Sequence, residues 1–162
     1  MDYLKGRTDV DPSNIGVLGI SMGAAVAIMG AAQSPDIKVV IADSPFESAS
    51  QAIEEGFTRV VGLPAFPFAP ITLQIIQWRL GVSPDQVVPR DHVGAVSPRP
   101  LLLIHGLADS EVSPVNSELV FAAAGDPKEL WLVPDVDHTK GMRDRREEYS
   151  QRIVQFFDQH LR

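Results

Sequence analysis

Three side chains in this sequence are suited to acyl chemistry: Ser21, Asp109 and His138. Ser21 is the centre of Gly19-Ile20-Ser21-Met22-Gly23, a Gly-x-Ser-x-Gly pattern. An apolar run (Ile15, Val17, Leu18, Ile20) precedes it, and an apolar stretch from Met22 to Ala32 follows. Strand, tight turn on the serine, then helix is the setting in which this pattern projects a hydroxyl for nucleophilic attack. Such a turn is expected to leave no room for a Cβ two residues before or after the serine, at Gly19 and Gly23. The helix would bring its free N–H groups and positive dipole end to the reacting oxygen, and the Met22 amide would be the first oxyanion donor. A Gly-Ser-Gly turn with no catalytic duty would share the bare pattern. The strand before it and the helix after it favour the chemical reading.

Asp109 and His138 each lie just beyond an apolar run of their own, Leu101 to His105 and Lys128 to Val133. If these runs are parallel strands, all three residues gather at the carboxyl edge of one sheet, where open α/β sheets bind ligands. His138 would take the proton from Ser21 Oγ and return it to the leaving group. Asp109 would fix the imidazole tautomer and stabilise the imidazolium. Singly, Asp109 reads as a turn residue and His138 as a surface histidine; the order and placement of all three carry the argument. Rivals are weaker. His105 ends a buried strand, where a hydrogen-bonded structural role fits better than a general base, and His92 and His160 read as solvent-facing. Asp135 and Asp137 adjoin His138, but a carboxylate next to a histidine in sequence rarely points at its ring. Asp43 is the substitute for Asp109 and reads as a loop staple. No His, Asp and Glu set has metal-ligand spacing, so neither metal nor cofactor is expected.

The elements that must hold these residues follow from the pattern. Residues 2–8 read as a helix end and 9–14 as a turn-rich link. Ile15 to Ile20, the Met22 to Ala32 helix and Ile37 to Ala42 make a βαβ unit, hence a parallel sheet. Residues 47–99 read as an insertion between strands. Glu47 to Val61 can be helical, with Ala49, Ile53, Phe57 and Val60 on one face. Gly62 to Pro70, with three prolines in seven residues, is expected to be irregular. Ile71 to Leu80 is a helix closed by Gly81, and Val82 to Pro100 is extended or turn-like. A small lid would have this composition, with Phe46, Phe66, Phe68 and Trp78 as candidate substrate contacts; plain packing of aromatics on the sheet fits it equally. Ser113 to Ala124 and Arg145 to Leu161 are the remaining helices, the last with Tyr149, Ile153, Phe156 and Phe157 along one side.

The 162 residues suit a single domain, 1–162. A net charge of −7 argues against nucleic acid or an anionic membrane as partner, and Arg143, Arg145 and Arg146 are interleaved with Asp144, Glu147 and Glu148. The absence of cysteine excludes disulfides and thiolate metal sites. No apolar run is long enough to span a bilayer, and Met1 to Arg7 lacks a signal-peptide core, so a cytoplasmic location is the expectation.

Together these segments resemble the C-terminal half of an α/β-hydrolase. They are most similar to the prolyl-oligopeptidase-like, dipeptidyl-peptidase-like and acyl-esterase-like serine hydrolases. The resemblance rests on the run from Asp11 to Gly23, on Arg99-Pro100-Leu101-Leu102-Leu103-Ile104-His105-Gly106 with Asp109, and on His138 ahead of the Tyr149 to Leu161 helix. It implies a Ser21-Asp109-His138 triad in an esterase, thioesterase or peptidase. A carboxylesterase acting on small apolar esters is the leading expectation, and a non-catalytic remnant serving as a binding or oligomerisation module the alternative. The resemblance also implies a truncated sheet of four parallel strands, because the nucleophile follows the first strand here and a later one in the full fold. The strands that would precede it, with the loop carrying the second oxyanion donor, have no counterpart. The chain is then a fragment, an internal-start product or a minimal hydrolase completed by another chain. The strand Ile15 to Ile20 carries no Pro, Lys or charge to blunt an open edge. A homodimer or higher homo-oligomer covering that edge is therefore expected.

Overall fold

The computed structural model describes residues 1–161. The elements run α1 (Asp2–Lys5), β1 (Ile15–Ile20), α2 (Met22–Gln33), β2 (Ile37–Asp43), α3 (Ala49–Gly56), α4 (Ala65–Leu80), α5 (Pro89–His92), β3 (Leu101–Gly106), α6 (Val115–Ala123), β4 (Lys128–Val133), α7 (Gly141–Asp144) and α8 (Arg146–His160). The strands form one parallel sheet in the order β1-β2-β3-β4. β2 is buried along nearly its whole length and β3 along all of it, which is why both read as unbroken apolar runs. The register sets Ile20 beside Asp43, Asp43 beside Ile104 and Gly106 beside Val133, so β3 and β4 run past the ends of β1 and β2.

Side chains alternate across the sheet and feed two cores. On one face Val40, Ala42, Leu101 and Leu103 pack with Ala24, Ala27, Ile28 and Ala31 of α2 and Val120 of α6. On the other, Val39, Ile41, Leu102 and Ile104 pack under Tyr149 and Phe156 of α8. Fully burying a Leu or Ile side chain in such a layer contributes about 1.5–3 kcal/mol. Alanines on α2 bring the helix close to β1 and β2. On the opposite side α8 lies so near β1 that a Cβ at Gly16 would come within 2.5 Å of the Phe157 ring.

Three local expectations change. The segment 62–70 is not wholly irregular, because α4 begins at Ala65 with Pro64 as its cap. Pro67 lies in the first turn, where a missing N–H has no acceptor to lose, Phe66 departs from helical geometry there, and Pro70 lies within the helix. Residues 82–100 contain helical turns at Pro84–Gln86, Pro89–His92 and Val93–Val96, with Pro84 and Pro89 at the first positions. Phe57–Val61 is a π-helical turn, so the spacing slips and Val60 ends 59% exposed instead of joining an apolar face. Gly81 closes α4 in a left-handed conformation, φ 68°.

Candidate active site

Each site residue stands where its strand ends. Ser21 follows β1 with φ 53° and ψ −118°, a left-handed conformation strained for a serine and held by Ser21 N donating to Asp43 O at 2.8 Å. The turn is so tight that a Cβ on Gly19 would lie 2.1 Å from Gly23 O, which only glycine avoids. Gly23 differs from expectation: a Cβ there would meet nothing within 4 Å, because it points away from the strand. The amides of Met22 and Gly23 head α2, where no preceding helical carbonyl can accept them.

Asp109 follows β3 in a turn that its own carboxylate organises. Oδ1 accepts from the backbone amides of Glu111 at 2.9 Å and Val112 at 2.8 Å. Its Oδ2 is 2.7 Å from His138 Nδ1, and His138 Nε2 is 2.9 Å from Ser21 Oγ. Nδ1 therefore donates to the carboxylate, and Nε2 is left to accept from the serine hydroxyl. The Asp109 side chain is fully buried and that of His138 nearly so. Burial pushes the Asp109 carboxyl up. The bonds from His105, His138 and the Val112 and Glu111 amides outweigh that and hold it well below the usual carboxylate range. His138 is raised above the ordinary histidine value, chiefly by its bond to Asp109, against the opposing effect of burial. Charges on Glu111, whose Oε2 lies 4.0 Å from Nε2, and on Asp43 add to the rise.

Two loops make this meeting possible. Gly106 lets the Val136 carbonyl approach so closely that a Cβ would sit 2.1 Å from it. Leu107 N donates to Val133 O and Ala108 N to Val136 O, seaming the loop after β3 to the loop after β4. Asp137 then fastens them. Its Oδ1 accepts from Ser110 N at 2.9 Å, Ser110 Oγ at 2.8 Å and His138 N at 2.8 Å, while Lys140 Nζ reaches Oδ2. Bonds from Lys140, Ser110 and His138 lower its pKa. Sequence reasoning missed this role. The carboxylate does avoid the ring of His138, but it holds that residue's backbone instead.

The rival carboxylate faces elsewhere. Asp43 is buried and accepts from Ser44 Oγ at 3.0 Å and from the Tyr149 hydroxyl, tying β2 to α8; burial raises its pKa despite those bonds. Tyr149, packed under Gly141, is likewise pushed up by burial and by Asp43. The segment 47–99 touches the site through polar groups. Arg59 donates to the Asp109 carbonyl, and Glu55 accepts from Ser113 N and Asn116 Nδ2, both at 3.0 Å. Phe46, just before the segment, is buried, and within it Phe68 stacks on Phe57 with centroids 6.0 Å apart. Phe66 and Trp78 are 79% and 81% exposed. His160 is exposed with its ring against Phe156, and His92 is half-buried, not solvent-facing. Among the described residues no three His, Asp or Glu side chains converge as metal ligands would, and no helix is long and apolar enough to cross a membrane.

The fold is shared with known proteins. An esterase of Pyrococcus furiosus superposes with a TM-score of 0.76 at 24% identity, over 99% of this chain and 59% of that one. Acylaminoacyl peptidase of Pyrococcus horikoshii does so with a TM-score of 0.73 at 20% identity, over 99% and 26%. In sequence the chain is 30% identical over 159 residues to the uncharacterized protein YfhR of Escherichia coli K12, covering 96% of this chain and 49% of that protein. It is 33% identical over 137 residues to the uncharacterized protein Rv2307c of Mycobacterium tuberculosis, covering 85% and 42%. The chain thus spans about half the length of the curated relatives it matches. The sequence profile of the prolyl oligopeptidase family matches residues 1–162 without a break, and on that match, joined to a four-stranded α/β-hydrolase sheet, the chain belongs to the prolyl oligopeptidase family.

Proposed function

We propose that this chain is a serine hydrolase that cleaves small apolar carboxylic esters through an acyl-enzyme on Ser21. One observation carries the reading: Ser21 Oγ, His138 and Asp109 stand in an unbroken hydrogen-bonded row, 2.9 and 2.7 Å, at the head of α2. His138 Nε2 removes the Ser21 proton as Oγ attacks the ester carbonyl. Asp109 stabilises the resulting imidazolium, and that proton then passes to the leaving alcohol. Water, deprotonated by His138 in turn, releases the acid. The Met22 amide stabilises the tetrahedral oxyanion, a contribution of about 3 kcal/mol for a well-placed donor. The segment 47–99 acts as a lid in this reading, pinned to the Asp109 loop through Arg59 and Glu55. Its apolar residues Phe66, Phe68 and Trp78, with Phe46 beside it, supply the surface for an apolar substrate, and the setting is cytoplasmic.

Hydrolysis of p-nitrophenyl acetate or butyrate, together with fluorophosphonate labelling that disappears in Ser21→Ala, is the expected result. Turnover unchanged by Ser21→Ala would sink the reading. A wild type that neither turns over nor takes the probe would favour a non-catalytic binding module. The fold shared with acylaminoacyl peptidase makes a peptidase the alternative within the enzyme class. Cleavage of an acyl-peptide p-nitroanilide in preference to the esters would select it.

A further inference from the structure

His105 is fully buried at the end of β3, and the serine chemistry proposed for Ser21 makes no direct use of it. Its ring is nonetheless held at both nitrogens. Nε2 lies 3.1 Å from Asp109 Oδ2 and 3.1 Å from the Val112 carbonyl, and Nδ1 lies 2.6 Å from Ser117 Oγ on α6. Both neighbours of Nε2 are acceptors, so Nε2 carries the proton; it donates to the Val112 carbonyl, with Asp109 Oδ2 beside the same N–H edge. In the neutral ring Nδ1 is left as the acceptor for the Ser117 hydroxyl. Asp109 Oδ2 therefore accepts from His138 on the site side and lies against the positive N–H edge of His105 on the core side, while two amides occupy Oδ1.

We infer that His105 is a positioning residue for the site, holding Asp109 Oδ2 on His138 and sharing its negative charge, with Ser117 fixing the ring that does so. This inference rests on the triad reading of Ser21, Asp109 and His138. The alternative is a merely space-filling histidine, and the geometry distinguishes them. Space-filling needs no N–H beside Oδ2 and Val112 O, whereas the inference needs one there and is indifferent to the aromatic ring. The N–H edge of His105 and the bond from His138 both help to keep Asp109 charged. When the donor is lost, the charge on Oδ2 concentrates on His138, which then holds its proton more tightly and is a poorer base at neutral pH. His105 does not touch the position a substrate would take, so the loss falls on kcat and leaves KM nearly unchanged.

Two polar replacements separate the possibilities. His105→Gln can place an amide donor near the position of Nε2, within reach of Asp109. His105→Asn reaches the Ser117 side only. The primary readout is the NMR titration of the His138 ring, assigned with His138→Gln, because it needs no turnover. The charged and titratable groups that face His138 are Asp109 at Nδ1, Ser21 and Glu111 at Nε2, and Asp43 through its field, and all are retained in both variants. The expected result is a His138 midpoint moved to higher pH in His105→Asn and returned toward wild type in His105→Gln. With ester substrate, kcat should fall about tenfold to a hundredfold in the Asn variant, the scale of a small misplacement of a reacting group, with KM within about twofold. An unmoved midpoint in folded His105→Asn overturns the inference, and so does a Gln variant as impaired as the Asn variant at equal Tm. If neither variant folds, Ser117→Ala reads the same midpoint: an upward shift supports the inference and no shift overturns it. A wild type inert toward esters and fluorophosphonate would remove the proposed activity, while the midpoint would still decide the role of His105.

Discussion

At the scale of single residues the site is governed by the charge on Asp109 and the proton on His138. His138 must be neutral to accept from Ser21, and its pKa is raised from the ordinary 6.5. The acidic limb of kcat/KM is therefore expected above that value, and a limb at or below it would contradict the geometry. The same shifts bear on stability. A raised folded pKa means that the contribution of His138 is complete below its unfolded value and fades as pH climbs through the folded one. Asp109 is lowered, so its contribution is present above the unfolded carboxylate value, about 3.9, and is lost as pH falls through the folded one. Urea midpoints compared between wild type and His138→Gln should differ most between those two windows, in weakly acidic solution, and converge toward alkaline pH. A constant difference would show that the ion pair is not its source.

Elements enter through the loops that bring β3 and β4 to a common edge. Gly106→Ala sets a Cβ against the Val136 carbonyl, backbone against backbone, where no flexible side chain can give way. A loss of about 1–3 kcal/mol in denaturant unfolding is expected, the cost of overpacking, together with reduced labelling of Ser21 as the His138 loop is displaced. Asp137→Asn keeps the side-chain shape but weakens bonds to Ser110, Lys140 and the His138 amide. A lower kcat with little change in Tm is expected, because Asp137 is exposed to solvent on one side and acts on loop position. A Tm loss as large as that of Gly106→Ala would instead make it a general structural tie. Charge on Asp137 also explains why a neighbour of His138 can matter without facing its ring.

For the whole molecule the open side of β1 is decisive. β1 pairs with β2 alone among the described residues, and its side chains Leu18 and Ile20 are 37% and 41% exposed. Val26 and Met22 on the adjoining helix are 66% and 73% exposed. We propose that a second copy of this chain covers this edge, closing the sheet by two-fold pairing and bringing the two Ser21 turns near each other. Light scattering across a dilution series should show a dimer or larger closed assembly, dissociating when Ile20 is replaced by Lys. A soluble monomer at all concentrations would refute the proposal. Half of the length of the curated relatives lies outside the matched region, so the same experiment on a full-length relative gives the natural comparison.

The sequence by itself determined the parallel sheet, because strands buried on both faces must be continuous apolar runs and βαβ spacing leaves them little choice of direction. It also determined the turn at Ser21, where Gly19 is required by a backbone contact only a few residues away. The order Ser21, Asp109, His138 and their positions past strand ends could be read from the same local patterns. Tertiary structure alone decided which carboxylate faces His138. Asp43 ends β2 and Asp109 follows β3, and the approach of Val136 to Gly106 and the bond from Tyr149 to Asp43 separate their fates. It alone turned Asp137 onto Ser110 and His105 onto Asp109, contacts spanning 27 and four residues that no periodicity reports. It also exposed Phe66 and Trp78, since apolar composition marks a surface that can be buried but not what will bury it. Local patterns encode which face of an element is apolar; the direction of a polar side chain at a loop is set by what the rest of the chain brings against it.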